Sequence, residues 1–221
     1  MELFECIEGR KSYRAFLPEE IDKGVLEKAL RAANRSPSYM NSQPWEVFVI
    51  AGKKKETLAQ RLFEHASSEM APVPDVPFVK EWPKTLEQRV KETRLRRFEA
   101  LGISPEDKEK IREGYLKNFQ FFDAPCAIFV GMEKGLTSWS VFDLGLFVHG
   151  LLLCMQAEGL GGCPQAMPTS YPEIIREELE IPNTICLVLA ISIGYPDPEA
   201  PINRYHTTRR RLEEFVRWYD L

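Results

Sequence analysis

Four short segments of the chain hold the side chains that could do chemistry. Arg10-Lys11-Ser12-Tyr13-Arg14 packs three cations and a hydroxyl into five residues. In an extended chain alternate side chains share a face, so Arg10, Ser12 and Arg14 could grip a phosphate or a polar ring edge together. Ser36-Pro37-Ser38-Tyr39-Met40-Asn41-Ser42-Gln43-Pro44-Trp45 is a polar loop bracketed by prolines. Its amides and hydroxyls donate and accept without charge, which suits reading the edge of a heterocycle. Gly161-Gly162-Cys163-Pro164-Gln165 lets a backbone come close to a flat ligand, because glycine carries no Cβ. Thr207-Thr208-Arg209-Arg210-Arg211 is a second basic knot, ahead of Leu212-Glu213-Glu214. Cations at a helix start oppose the helix dipole and want an external anion, so a phosphate shared by the two knots is the sharp reading. The plain reading is a solvated charge run for the first knot and an ordinary turn for the loop.

The chain brings little reactive chemistry of its own. No Gly-x-Gly-x-x-Gly follows a strand, and Gly159-Leu160-Gly161-Gly162 lacks the Lys-Ser/Thr of a phosphate loop. There is no Gly-x-Ser-x-Gly elbow and no Cys/His arrangement that makes a nucleophile. Either a bound cofactor carries the reaction or there is no catalysis. Cys6, Cys126, Cys154, Cys163 and Cys186 are odd in number and widely spaced, as reduced thiols would be. His65, His149 and His206 are isolated, so no metal is expected.

The elements that must position these segments follow from the apolar pattern. Leu3, Phe4 and Ile7 sit at helical spacing and lead into Arg10. Val25, Leu26, Ala29, Leu30 and Ala33 mark a second helix that stops near Ser36-Pro37. Trp45–Ala51, Cys126–Met132 and Ile185–Tyr195 are near-continuous apolar, β-rich runs, the pattern of buried strands. Helices are expected over Lys53–Met70, Leu86–Leu101, Val141–Glu158 and Ile174–Leu179, and another from Ser104-Pro105 to about Asn118. Arg209–Val216 opens the last element. In Leu86–Leu101 the arginines Arg89, Arg94, Arg96 and Arg97 alternate with Glu87, Glu92 and Glu99, which reads as a solvated face of ion pairs rather than a nucleic-acid arm. Pro72, Pro74, Pro77 and Pro83 deny regular structure to Ala71–Pro83, leaving an exposed excursion or flap. Three strands among six or more helices give a helix-rich α+β sandwich. The helix over Val141–Glu158 is apolar on nearly every face, and one chain of 221 residues would struggle to cover it; a dimer would.

Composition sets the outer bounds. With 44% hydrophobic and 28% charged residues the chain is a folded protein, expected as one domain over 1–221 with a helical and proline-rich excursion around 71–118. A formal net charge of −4 offers no global field for nucleic acid. The apolar run Val141–Met155 is interrupted by Asp143 and His149 and is too short to span a bilayer. The acidic N-terminus lacks the order of a signal peptide, so a cytoplasmic location is expected.

Taken in order, the four segments resemble the FMN-dependent nitroreductase family, over nearly the whole chain from Leu3 to about Val216. The family's opening Arg-basic-Ser-x-basic-x-Phe pattern is matched by Arg10–Phe16. Its Pro-Ser-x-x-Asn-x-Gln-Pro-Trp loop is matched by Pro37–Trp45. Its glycine-rich turn after the central helix is matched by Gly159–Gln165, and its Arg-x-x-Leu-Glu-Glu end by Arg209–Glu214. The resemblance implies an intertwined homodimer built on a central, mostly antiparallel sheet flanked by helices, with two non-covalent FMN sites at the interface. Within the family, Asn118–Pro125 and the Cys163-Pro164-Gln165 turn look most like the nitroaromatic and nitrobenzoate branch. By motif position Arg10, Ser12, Arg14 and Arg209, with Lys11 beside them, would hold the ribityl phosphate and the pyrimidine edge. Ser38, Asn41 and Gln43 would come from the partner, Pro37 is a cofactor-binding candidate in the same loop, Pro164 and Gln165 would lie along the flavin ring, and Asn118 is a further flavin candidate. The activity implied is hydride transfer from NADH or NADPH through FMN to a small planar acceptor, foremost a nitroaromatic, in ping-pong order. Quinone or alkene reduction, reductive dehalogenation and flavin binding without turnover are the alternatives. Ala166-Met167 stands where some members carry Glu-Gly, so acceptor specificity does not transfer.

Overall fold

The computed structural model describes residues 2–220. Along them run α1 (Leu3–Gly9), α2 (Lys23–Ala33), β1 (Glu46–Ala51), α3 (Gly52–Ser67), α4 (Lys84–Leu101), α5 (Lys108–Leu116) and β2 (Cys126–Glu133). There follow α6 (Ser138–Ala157), β3 (Gly161–Gln165), α7 (Pro172–Leu179), β4 (Ile185–Gly194) and the single turn α8 (Pro201–Arg204). The strands form one antiparallel sheet in the order β1-β2-β4-β3.

The central strands read as unbroken apolar runs because helices cover both faces of the sheet. Side chains alternate across a strand. In β2, Cys126, Ile128, Val130 and Met132 pack toward α2 and α6, while Ala127 and Phe129 pack toward α3 and α7. β4 changes parity part-way. Ile185 and Leu187 face the α3/α7 layer, whereas Ile191 and Ile193 face the α2/α6 layer. The switch occurs where the β2–β4 register shifts beside Val130 and Gly131, so one bulge lets an odd-numbered set serve both cores. Gly131 sits at that bulge for want of room: a Cβ there would lie 2.7 Å from the carbonyl oxygen of Cys186.

Several expectations change. β3 is a fourth strand where a turn was expected, and its glycines are close to protein: a Cβ on Gly161 or Gly162 would come within 2.6 Å of Tyr13 or Leu152. Pro164 is tolerated because β3 is an edge strand. α5 begins at Lys108 rather than at Ser104-Pro105, since Asp107 caps it by accepting from the Lys110 amide at 3.0 Å. No helix starts at Arg209; a single 3-10 turn covers Leu212–Glu214. In α1, Leu3, Phe4 and Ile7 are exposed and only Cys6 is buried.

α6 is 20 residues long, so length alone does not distinguish it from a membrane span. Its packing does: Leu144, Phe147, Val148, Leu151, Leu152 and Met155 are buried in the core at helical spacing. The opposite face is bare, with Trp139 63% and Phe142 61% exposed.

The excursion over Ala71–Pro83 lacks regular structure, but it is not free. The Val73 amide donates to the Ser170 carbonyl at 2.9 Å, and Asp75 reaches inward to a buried arginine, Arg176 of α7. Asp75 also accepts from the Leu187 amide of β4 at 2.8 Å. Arg176 further donates to the Ile185 carbonyl and to Glu173, at 2.8 and 2.7 Å. Removing one partner of a buried pair strands the other. Asp75→Ala should therefore destabilise the protein by about 3 kcal/mol, the low end for a broken buried pair because Glu173 remains. Urea unfolding checks this, and a loss near that of an exposed salt bridge, below about 1 kcal/mol, would show that the latch contributes little.

Candidate functional site

The first basic knot is held as an extended, half-buried segment against the edge of the sheet. Ser12 pairs with Gly162 of β3, and the Tyr13 amide donates to the Gly162 carbonyl at 3.3 Å. Asn203, on α8, clamps the segment from the other side. Its Oδ1 accepts from the Arg14 amide at 2.9 Å, and its Nδ2 donates to the carbonyls of Ala15 and Asp197 at 2.8 and 2.9 Å. Its own carbonyl accepts from Lys11 Nζ. Nothing in the Pro201-Ile202-Asn203-Arg204 sequence marks Asn203 as the centre of this network.

Thus fixed, Arg10, Lys11, Ser12 and Arg14 line a chamber of about 570 Å³, whose far wall is Tyr205, Thr207, Thr208 and Arg209. The two basic knots do meet, as a shared anion would require. α4 closes the chamber with Val90, Thr93, Arg94 and Arg97. The expected solvated ion-pair face of α4 is only partly present: Arg96 pairs with Glu92 at 2.5 Å, but Arg94, exposed, and Arg97, half-buried, line the chamber without a carboxylate. Six cations therefore surround one space whose lining contains no carboxylate. Among the described residues none of the six is ion-paired. Burial and then the adjacent charge of Arg14 pull Arg97 below the ordinary arginine value, and burial lowers Lys11. Arg209 is steadied by its neighbours, donating to Thr207 Oγ1 at 2.7 Å and to the Thr208 carbonyl at 2.9 Å.

A second chamber of about 640 Å³ shares Arg14, Arg94 and Arg97 with the first. Phe16, Phe98, Ile111, Tyr115 and Phe122 give it a largely apolar wall, and Asn118 lies at its edge. Asn118 is bound to the turret of polar groups behind β3. Gln165 Nε2 donates to its carbonyl at 3.2 Å and its Oδ1 at 3.3 Å, and Gln165 Oε1 accepts from Ser192. The Gln165 side chain is buried and occupied, so it is a brace for Asn118 in this chain. Pro164, beside it on the edge strand, is half-exposed.

The Pro37–Trp45 loop lies elsewhere. None of Pro37, Ser38, Asn41 and Gln43 lines either chamber. The loop is pinned to the N-terminal half of α6, where the buried Asp143 accepts from the Tyr39 amide at 3.1 Å and Tyr39 stacks on Trp139 at 6.1 Å between centroids. Ser38 Oγ accepts from the Gln43 amide at 3.0 Å, and Trp45 stacks on Phe147 at 4.9 Å. Met40, Asn41 and Gln43 all have positive φ (54°, 57° and 48°), a conformation that non-glycine residues adopt at some expense.

Asn203→Ala would remove the hydrogen bonds that hold Arg14 and Ala15. The expected result is a stability loss of about 2–3 kcal/mol. Hydrogen exchange should show the Arg14 amide unprotected while β4 amides stay protected; an Arg14 amide that remains protected would mean that Asn203 does not hold the segment.

Comparison with known proteins gives a consistent picture. The nitroreductase family model matches residues 7–195. Nitroreductase NfnB of Mycolicibacterium smegmatis is 31% identical over 214 residues, 96% of this chain and 90% of that one. Nitrobenzene nitroreductase of Ectopseudomonas oleovorans is 30% identical over 219 residues, 96% of this chain and 94% of that one. The crystal structure of the FMN-dependent nitroreductase NfnB from Mycobacterium smegmatis in complex with NADPH superposes with a TM-score of 0.94 at 28% identity, covering 98% of this chain and 97% of that one. The sheet order, the paired basic knots and this match along residues 7–195 together place the chain in the nitroreductase family.

Proposed function

We propose that the chain is an FMN-dependent oxidoreductase that takes hydride from NADPH or NADH and delivers it to a small planar acceptor, foremost a nitroaromatic. One observation carries the reading: six cations with the Ser12, Thr207 and Thr208 hydroxyls wall a chamber free of carboxylates, which contains the donors that a phosphate needs. The relatives support it, since the NfnB structure is that of an FMN-dependent nitroreductase in complex with NADPH. FMN supplies reversible hydride acceptance when bound.

Arg10, Ser12 and Arg209 hold the phosphate in this reading. Arg14, whose guanidinium carbon lies 5.9 Å from the Phe122 ring centroid, stands between the chambers and counters negative charge at the pyrimidine edge. Lys11 assists from Asn203. Pro164 and the Asn118–Gln165 brace border the ring. In this reading solvent supplies the proton.

Ser38, Asn41 and Gln43 act on the flavin of a second copy. That explains why their loop is far from its own chain's basic chamber and why it borders the bare face of α6 around Trp139 and Phe142. A homodimer joined through this face both covers the apolar helix and completes each site.

Two outcomes test the reading. The purified protein should be yellow and release unmodified FMN on denaturation. Arg209→Ala, which loses one charge-assisted contact of about 1.5–3 kcal/mol, should bind FMN roughly ten- to a hundredfold more weakly by flavin fluorescence titration. Unchanged affinity would take Arg209 out of the phosphate site.

In this reading donor and acceptor share one face of the flavin, so they cannot both be bound productively. Initial-rate plots at several fixed acceptor concentrations should be parallel lines, the mark of ping-pong order. Intersecting lines would require two separate pockets and contradict the shared face.

A further inference from the structure

Resting on the flavin reading of the first chamber, we infer that Arg94 and Arg97 of α4 are specificity residues that hold a carboxylate carried on the acceptor's aromatic ring. Both side chains line both chambers and so stand at the junction where an acceptor would enter. Among the described residues neither has an ion-pair or side-chain hydrogen-bond partner; Arg94 only lies over the Phe98 ring, at 5.9 Å. Two unpartnered guanidinium forks side by side match the two oxygens of a carboxylate in shape and charge.

Charge balance points the same way. The chamber gathers six cations, whereas a phosphate monoester brings about two negative charges at most and the reduced ring about one more. Arg10 and Arg209 flank the phosphate, Arg14 the ring, and Lys11 is taken up by the Asn203 carbonyl, which leaves Arg94 and Arg97 without an anion or a polar partner. The other cations at the second chamber are already spoken for: Lys117 pairs with Asp123 at 3.2 Å, and Lys110 with Asp107 at 3.6 Å. An anion at the junction could also come from a phosphate of the nicotinamide donor. The chamber beside the pair favours the acceptor, because its Phe16, Phe98, Tyr115 and Phe122 walls suit an aromatic ring and would desolvate a second phosphate.

The test uses the FMN-loaded protein. Benzoate, which cannot be reduced, should perturb the flavin absorption spectrum on binding, and neutral benzamide serves as its reference. In Arg97→Gln and Arg94→Gln, benzoate affinity should fall about 10- to 100-fold relative to benzamide, with partial recovery in Arg97→Lys. The kcat/KM ratio for nitrobenzoate over its methyl ester should fall by a similar factor, while the NADPH-to-NADH ratio stays put. A fall in the NADPH-to-NADH ratio with benzoate binding intact would assign the pair to the donor's phosphate and overturn the inference. Loss of FMN from both Gln variants and from the Lys variant would assign it to the cofactor, with the same result. A wild-type flavin spectrum indifferent to benzoate would also overturn it. Arginine-dependent benzoate binding without reduction of any nitro compound would keep the inference and overturn the proposed activity instead.

Discussion

Like charges repel, and the central constraint on this molecule is that it holds six of them around one chamber without an opposing carboxylate. Nothing about the cations themselves favours that arrangement; burial and the neighbouring Arg14 both work against the charge on Arg97. The scaffold must therefore supply the stability that the cluster withdraws, and it does so through uncharged contacts. Asn203 satisfies backbone groups of Arg14 and Ala15, Gly162 accepts the first knot as an extra ladder at the sheet edge, and the sheet that offers this edge is buried on two faces. A ligand that brings negative charge relieves the repulsion at once. Such preorganisation makes binding favourable, because the protein orders itself before the anion arrives.

The same logic explains where the glycines and the prolines fall. Gly161 and Gly162 read in sequence as a place where a ligand could approach a backbone. In the fold the close approach is made by Tyr13 and Leu152, which occupy the space a Cβ would need. The glycines act on the ligand indirectly, by letting the first knot lie flat against β3. The prolines of the 71–83 excursion likewise leave the chain irregular, yet Asp75 carries that stretch to Arg176 and the Leu187 amide. The excursion leads into α4, the helix that brings Arg94 and Arg97 to the chamber.

How far the sequence could be read follows from what kind of signal each feature leaves. β2 and β4 are legible because covering both faces of a strand demands apolar residues at every position, and α6 because its apolar residues exceed what one chain can bury. β3 is not legible: Gly-Gly-Cys-Pro-Gln has almost no strand propensity, and only the neighbouring β4 makes it a strand. The two basic knots and the Asn118–Gln165 pair could be singled out by residue type, but their meeting is a tertiary fact. Arg94 and Arg97 could not, since on α4 they sit among glutamates at spacings that suit surface ion pairs, and only Arg96 makes one. Asn203 and Asp75 leave no trace at all, because a polar residue that braces backbone looks in sequence like any exposed one.

The Pro37–Trp45 loop and the bare face of α6 beside it are both unfavourable in a single chain. Three of its residues stand in left-handed conformations, and the loop is fixed there by the buried Asp143, by Ser38 and by stacking of Tyr39 on Trp139. Backbone strain persists only where surrounding structure imposes it, and it concentrates where side chains must be aimed. Here the side chains so aimed are Asn41 and Gln43, exposed and remote from their own chain's chambers. Beside them the apolar face of α6 is uncovered, with Trp139 and Phe142 mostly in solvent. Exposed apolar surface and a strained polar loop are each unfavourable for an isolated chain. A two-fold axis through this face would bury the first and give the second a ligand to read, so one symmetry operation resolves both.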